Sequence, residues 1–433
     1  MNWIPVVAIL FVVYGLFSKR LAHSPITGPM IFTAAGIAVG LALEWQGVSQ
    51  QVMSVELSGG MVQTLLEGTL IILLFSDAVV IDIRAVRRDA FLPSRLLGIG
   101  LPLTIAAGTA AAMLMFPEFG FWPAAVIGII LAPTDAALGQ AVIANDGVPD
   151  LVRQGLGVES GLNDGIVVPF LAIAIAGATS EMQSGAETAQ VFVEEIGLAV
   201  IVGILVGWIG GKAVKFAYSR GWMSREWRQV TVVSLAVLCF VLADPIGGSG
   251  FIAAFVGGLV FGKLVRHDYP NICNFSEGIA HLLTMVAFFT FGVLILVPVL
   301  GLITWKVVLY AVISLTIVRM IPVAVALIGT NLGGQTKLYI GWFGPRGLAS
   351  LVFMGTVVVE SDPEFSAAIV TVGATTIALS VLLHGLTAWP GSVRYAAWYK
   401  RSMAKSDVEE MPESMDVEHM PNPVLGSRIR PTS

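Results

Sequence analysis

Read from its first residue, the chain is a succession of long apolar runs broken by short polar stretches. Thirteen runs are near the roughly 20 residues a membrane-crossing helix needs. They cover 2–21, 24–43, 60–83, 92–115, 121–144, 152–178, 191–217, 228–244, 249–265, 279–300, 304–328, 337–359 and 364–389. None alternates apolar with polar positions in the way a barrel strand must, so helices are the spanning solution left. The pattern predicts an all-α polytopic membrane protein. After about residue 400 the sequence turns polar (KSDVEEMPESMDVEHM) with no helical or strand period. Residues 1–390 are therefore read as one transmembrane unit and 391–433 as a largely disordered cytoplasmic tail.

Composition agrees with a membrane as solvent. Hydrophobic residues make up 56% of the 433 positions and charged residues 12%, about half the charged share of a soluble domain. Too few charges are present to coat a soluble surface of this size. The charges are also segregated. With the polar stretches numbered alternately, 21 of the 24 Lys and Arg residues fall on one side and Lys306 stands alone on the other, among Glu44, Glu56, Glu118, Glu181, Glu187, Glu194, Glu195, Asp362 and Glu364. Basic loops stay in the cytoplasm, so the N-terminus is predicted outside and the C-terminus inside. Cys239 and Cys273 lack metal-ligand spacing, which argues against a disulfide or a metal centre. The first run lacks the basic lead and small-residue cleavage site of a signal peptide and is read as a retained helix.

The remaining charges lie inside apolar runs, where each costs at least a few kcal/mol and is by default a functional hypothesis. They are Glu67, Asp77, Asp135, Glu159, Asp164, Arg319 and Arg346. Asp135 follows Pro133 and Thr134 in IGIILAPTDAALGQAVI. The proline removes a backbone donor, and a helix broken there frees carbonyls that only protein or a water-lined cavity can satisfy. Thr and Asp are good caps for the second half, and the same oxygens suit a hard cation. Arg346 sits in an equivalent break, YIGWFGPRGLASLVF. Broken segments at positions five and twelve, one in each half, point to inverted repeats with a site between them. There Arg346 lies near Asp135, compensating charge and helix dipoles.

The stretch GLGVESGLNDGIVVPF places Glu159, Ser160, Asn163 and Asp164 on one helical stripe, at spacings of three and four. An unpaired buried carboxylate is expensive, and Arg319 in SLTIVRMIPV is the available partner for Glu159; the two are read as a structural ion pair. Asp164 has no such spare cation. It must be protonated or hold a mobile cation, and a proton and a cation competing for the same oxygens is the chemistry of exchange. Glu67 either joins this site or lies near the outer rim. Asp77, His281 and His384 are read as structural, and Asp244 as a loop residue.

Four stretches in this order, APTDAALGQAVI, VESGLNDGIVVPF, GSGFIAAFVGGLVFG and GWFGPRGLASLVF, resemble the monovalent cation:proton antiporter-1 family, the prokaryotic sodium/proton antiporters of the NhaP type related to animal sodium/hydrogen exchangers. The resemblance covers residues 1 to about 390. It implies a NhaA-like fold of thirteen helices, with a dimerisation domain interleaved with a core of helices 3–6 and 10–13. It also implies a homodimer and elevator-type movement of the core. It places the ion-binding Asp at Asp164 with Asn163 beside it, Ser160 and the Thr134 backbone carbonyl as further ligands, Asp135 as a residue that helps hold a water, the ion pair at Glu159 and Arg319, and, loosely, a helix 3 acid at Glu67. Bound Na+ is expected at Asp164, Ser160 and Thr134. The Asn-Asp pair implies electroneutral exchange. The chain departs from the family pattern at Gly161 and at Ala136-Ala137, which border the site.

The expected function is thus exchange of Na+ or Li+ for H+ across a prokaryotic inner membrane. Its partners are monovalent cations, protons, lipid and a second copy of the chain, with no cofactor and no nucleic acid. The nearest rival is K+/H+ antiport, since cavity size and ligand geometry decide between the ions. A cation channel would need a symmetric filter, which the sequence lacks. A scaffold would leave two broken helices and Asp164 without a use. No nucleotide loop, metal motif or nucleophile arrangement suggests an enzyme.

Overall fold

A computed structural model describes residues 4–47, 60–81, 91–135, 138–139, 142, 145–178, 185–266, 268–269, 272–360 and 363–405. Within them every regular element is helical, and the helices group into thirteen successive segments. In chain order these are α1 (Ile4–Leu21), α2 (Gly28–Trp45), α3 (Met61–Val80) and α4 (Phe91–Met115). Next come α5, regular over Phe121–Ile130, then α6 (Asp150–Ala178), α7 (Gly185–Ser219), α8 (Arg225–Ala243) and α9 (Gly250–Val265). Last come α10 (Asn274–Leu302), α11 (Trp305–Ala326), α12 in two pieces (Gly334–Trp342 and Leu348–Glu360) and α13 (Pro363–Lys405). Nine helices among the described residues are by themselves long and apolar enough to cross a membrane; α5, α9 and the second piece of α12 are shorter apolar helices.

The bundle is built inside out. Outer helices turn apolar side chains outward, such as Leu16 on α1, Leu114 on α4 and Ile209 on α7. Glu159, Asn163, Asp164, Arg319 and Arg346 are buried at its centre. Without water to drive helices together, close approach at small residues supplies much of the packing. On α9, a Cβ at Gly258 or Gly262 would strike the α3 backbone at Phe75 and Val79, so both positions must be glycine for α3 to lie where it does.

α13 extends beyond the expected limit. It runs through Pro390 to Lys405, so 391–405, assigned above to the tail, are helical. Residues 406–433 and Ala136-Ala137 lie outside the described residues.

Candidate functional site

Two helices lose their regular hydrogen bonding halfway. α5 ends at Ile130, and residues 131–135 run non-helically through Pro133; α12 is open between Trp342 and Leu348, through Gly344, Pro345 and Gly347. The two breaks cross. The Asp135 N–H donates to the Pro345 carbonyl at 2.8 Å. Each break then serves the helix ends of the other. The Arg346 Nη1 donates to the carbonyls of Ala132 and, at 3.1 Å, Pro133, placing a cation at the negative end of the α5 half-helix. The Asp135 Oδ2 accepts the Leu348 N–H at 2.7 Å, and its Oδ1 accepts that of Leu138 at 3.2 Å. A carboxylate therefore sits at the positive start of the second piece of α12. Gly347 makes this possible, because a Cβ there would collide with the Asp135 carboxylate. Arg346 and Asp135 are thus cross-capping residues. Asp135, expected to turn oxygens to a cation, has both of them in backbone hydrogen bonds.

The polar stripe of α6 packs against this crossing. Asn163 Nδ2 donates to Thr134 Oγ1 at 2.7 Å, and Thr134 Oγ1 lies 3.0 Å from Ser160 Oγ. Asn163 therefore holds the threonine of the α5 break in place. Asp164 is buried beside it, and its Oδ1 and that of Asn163 have no hydrogen-bond partner among the described residues. Neither buried guanidinium donates to Asp164, although Arg346 Nε and Nη2 have no hydrogen-bond partner among the described residues. Arg319 on α11 forms a two-pronged pair with Glu159, at 2.6 Å (Nη1–Oε1) and 2.9 Å (Nη2–Oε2), and packs against Gly344 of the α12 break. Arg346 donates to the carbonyls already named.

The two helix 3 acids lie at different depths. Asp77, read above as structural, faces α6: a Cβ at Gly161 would lie 3.7 Å from its Cβ and 3.8 Å from its Oδ2. Asp77 and Asp135 both act electrostatically on Asp164. Glu67 is ten residues away, about 15 Å of helix. It accepts a hydrogen bond from Gln63 Nε2 at 2.6 Å and lies in the field of Asp244 at the end of α8. The structure does not bring Glu67 to the cluster. The signal available in the sequence was spacing: Asp77 stands ten residues closer than Glu67 to the basic end of helix 3, where Arg84 follows. His384 is buried and bonded at both ring nitrogens, to Trp342 O at 3.0 Å and Ser380 Oγ at 3.1 Å.

Two helices interrupted at mid-length thus cross beside a buried carboxylate, in a bundle of long apolar helices. The solved structure of the sodium proton antiporter MjNhaP1 from Methanocaldococcus jannaschii has the same fold, with a TM-score of 0.74 and 21% identity over 89% of this chain and all of that one. The chain belongs to the sodium/hydrogen exchanger family, whose transmembrane profile matches residues 6–390. Among curated relatives, a probable Na+/H+ antiporter of Schizosaccharomyces pombe is 26% identical over 55% of this chain and 33% of its own length. A K+/H+ antiporter, NhaP, of Alkalimonas amylolytica is also 26% identical, over 52% of this chain and 39% of its own. The chain thus spans between about a third and two fifths of these relatives' length.

Proposed function

We propose that this protein exchanges Na+ for H+ across a prokaryotic inner membrane, with Asp164 carrying the proton and the cation alternately. One observation carries the reading: Asp164 is a buried carboxylate whose Oδ1 has no donor, and neither buried arginine donates to it, Arg319 pairing with Glu159 and Arg346 Nη1 with backbone carbonyls. An uncompensated buried carboxylate is costly in any state but protonated or cation-bound, and those two states exclude each other. Thr134 and Ser160 supply neutral oxygens beside it, and Asn163 positions Thr134. Asp135 and Asp77 contribute negative charge that favours a cation over a neutral ligand. The Glu159–Arg319 pair braces α6 against α11.

With one titrating carboxylate and a neutral Asn163 beside it, one cation exchanges for one proton and no net charge crosses. In this reading the basic loops stay in the cytoplasm, with the C-terminus inside and the N-terminus outside. Two copies form the working dimer, and access alternates as the core bundle moves against the other helices. K+ is the second substrate reading, favoured by the K+/H+ antiporter among the relatives at the same identity.

The test is proton flux in proteoliposomes with a preset pH gradient, adding Na+, Li+ and K+ in turn. Na+ is expected to collapse the gradient in the wild type, independently of a clamped membrane potential, and no cation in Asp164→Asn. Response to K+ alone transfers the mechanism to the rival substrate. Transport by Asp164→Asn at the wild-type rate refutes it.

A further inference from the structure

Away from the crossing, an open groove of about 450 Å³ runs along the outside of the bundle between α11, the first piece of α12 and α13. Its walls include Met320, Leu338, Trp342 and Phe343, and its polar residues include Gln335 and Arg394. Leu338 and Val393 beside it are 61% and 45% exposed, so it opens to the perimeter rather than into the core. The framework around it is stiff. Tyr339 and Tyr395 stack with ring centroids 4.0 Å apart, Trp342 Nε1 donates to Thr387 Oγ1 at 3.0 Å, and Tyr339 OH lies 2.9 Å from Ser392 Oγ.

The groove has a defined depth. Its inner end is Trp342, whose carbonyl is bonded to His384 at the helix break. Arg394 is ten residues beyond His384 on α13, about 15 Å of helix. A hydrocarbon core is about 30 Å thick, so with the break at mid-depth Arg394 reaches the headgroup level. The groove then spans one leaflet. The charge on its own three walls is basic as well, and the acids of the neighbouring α6 start, Asp146 and Asp150, are paired with Arg153. No acidic residue occurs between Trp305 and Val359 or between Phe365 and Lys405, while Lys337, Arg394, Lys400 and Arg401 cluster at this end. Arg394 is exposed and has no ion-pair partner among the described residues.

We propose that this groove binds an anionic phospholipid, its phosphate at Arg394 and one acyl chain along the aromatic wall towards Trp342. A basic pocket between helices at the headgroup level is the arrangement that recognises anionic lipid. The apolar, leaflet-length wall selects a lipid over a soluble anion. The acidic stretch of residues 407–418 is the competing occupant by charge, but the exposed apolar rim at Leu338 and Val393 favours an acyl chain over so polar a segment.

The experiment is native mass spectrometry of the full chain in detergent with added phosphatidylglycerol or phosphatidylcholine. It reads lipid retention and is independent of ion exchange. The wild type is expected to retain phosphatidylglycerol in preference. Arg394→Gln should lower that retention about fivefold, the effect of one basic contact near a headgroup, and leave phosphatidylcholine unchanged. Gln335→Glu, at an exposed position, places a carboxylate in the groove and should lower it similarly; this variant decides the matter if Arg394→Gln does not fold. Equal retention of the two lipids by the wild type, or wild-type retention by both variants, overturns the proposal. So does a rise in retention on removing residues 406–433, which would make the tail the resident of the groove. Unchanged retention in the truncated chain supports the lipid.

Discussion

Removing one partner of the Glu159–Arg319 pair should be among the most damaging single changes in the molecule. Both side chains are almost completely buried, at 2% and 1% exposure, and joined by two short bonds of 2.6 and 2.9 Å. Charge-assisted hydrogen bonds contribute about 1.5–3 kcal/mol each, so the two together stand for about 3–6 kcal/mol. Truncating one partner of a buried pair and stranding the other costs about 3–5 kcal/mol. Arg319→Gln and Glu159→Gln should each lose stability in that range. The double change Glu159→Leu with Arg319→Met leaves no stranded charge and should cost about 1 kcal/mol or less, since apolar replacement of a buried pair is often neutral. Equilibrium unfolding of the four proteins in mixed micelles gives the cycle, and proton flux on the same preparations tests whether the pair braces or transports. If the double variant loses the sum of the two single losses, the residues do not act as a pair. If it is stable but silent in flux, the brace reading is wrong.

Other positions give sharper functional contrasts. Asp77→Asn should raise the cation concentration needed for half-maximal exchange about tenfold, the equivalent of 1.4 kcal/mol, while Glu67→Gln should leave it unchanged; the reverse order would restore Glu67 to the site. Gly347→Ala forces its Cβ onto the Asp135 carboxylate and should cost about 1–3 kcal/mol, as overpacking does, with loss of exchange. Gly278→Ala, where a Cβ meets nothing within 4 Å, is the control, and equal effects in thermal unfolding would refute the cross-capping account. Exchange followed over about pH 5–10 should pass through a maximum. Protons hold Asp164 on the acid side and run short on the alkaline side, so raising Na+ should move the acid limb to lower pH. A monotonic rise, or a limb that ignores Na+, would count against competition at one carboxylate.

The chain's apolar runs and their breaks were enough to mark out thirteen helical segments, because a helix in hydrocarbon must satisfy its own backbone and so announces its length in hydropathy. The same constraint made the two proline-glycine interruptions visible as breaks. Local spacing put Glu159, Ser160, Asn163 and Asp164 on one stripe, and the scarcity of buried cations pointed Arg319 at Glu159. What a linear pattern leaves open is which face and depth of one helix meets another. Glu67 and Asp77 are both acids on an apolar helix 3, and only the close approach of α3 to the α6 glycine face sets Asp77 against Gly161 and leaves Glu67 about 15 Å along the helix. In the same way, Asp135 and Arg346 are adjacent breaks in sequence logic. Their actual bonds run to opposing helix ends, since unpaired carbonyls and N–H groups buried at the crossing claim the nearest charge of suitable sign. The groove at Arg394 is likewise tertiary, formed where acid-free stretches of three helices stand apart at one leaflet. Composition and period fixed what crosses the membrane; packing at a handful of glycines decided which charges meet inside it.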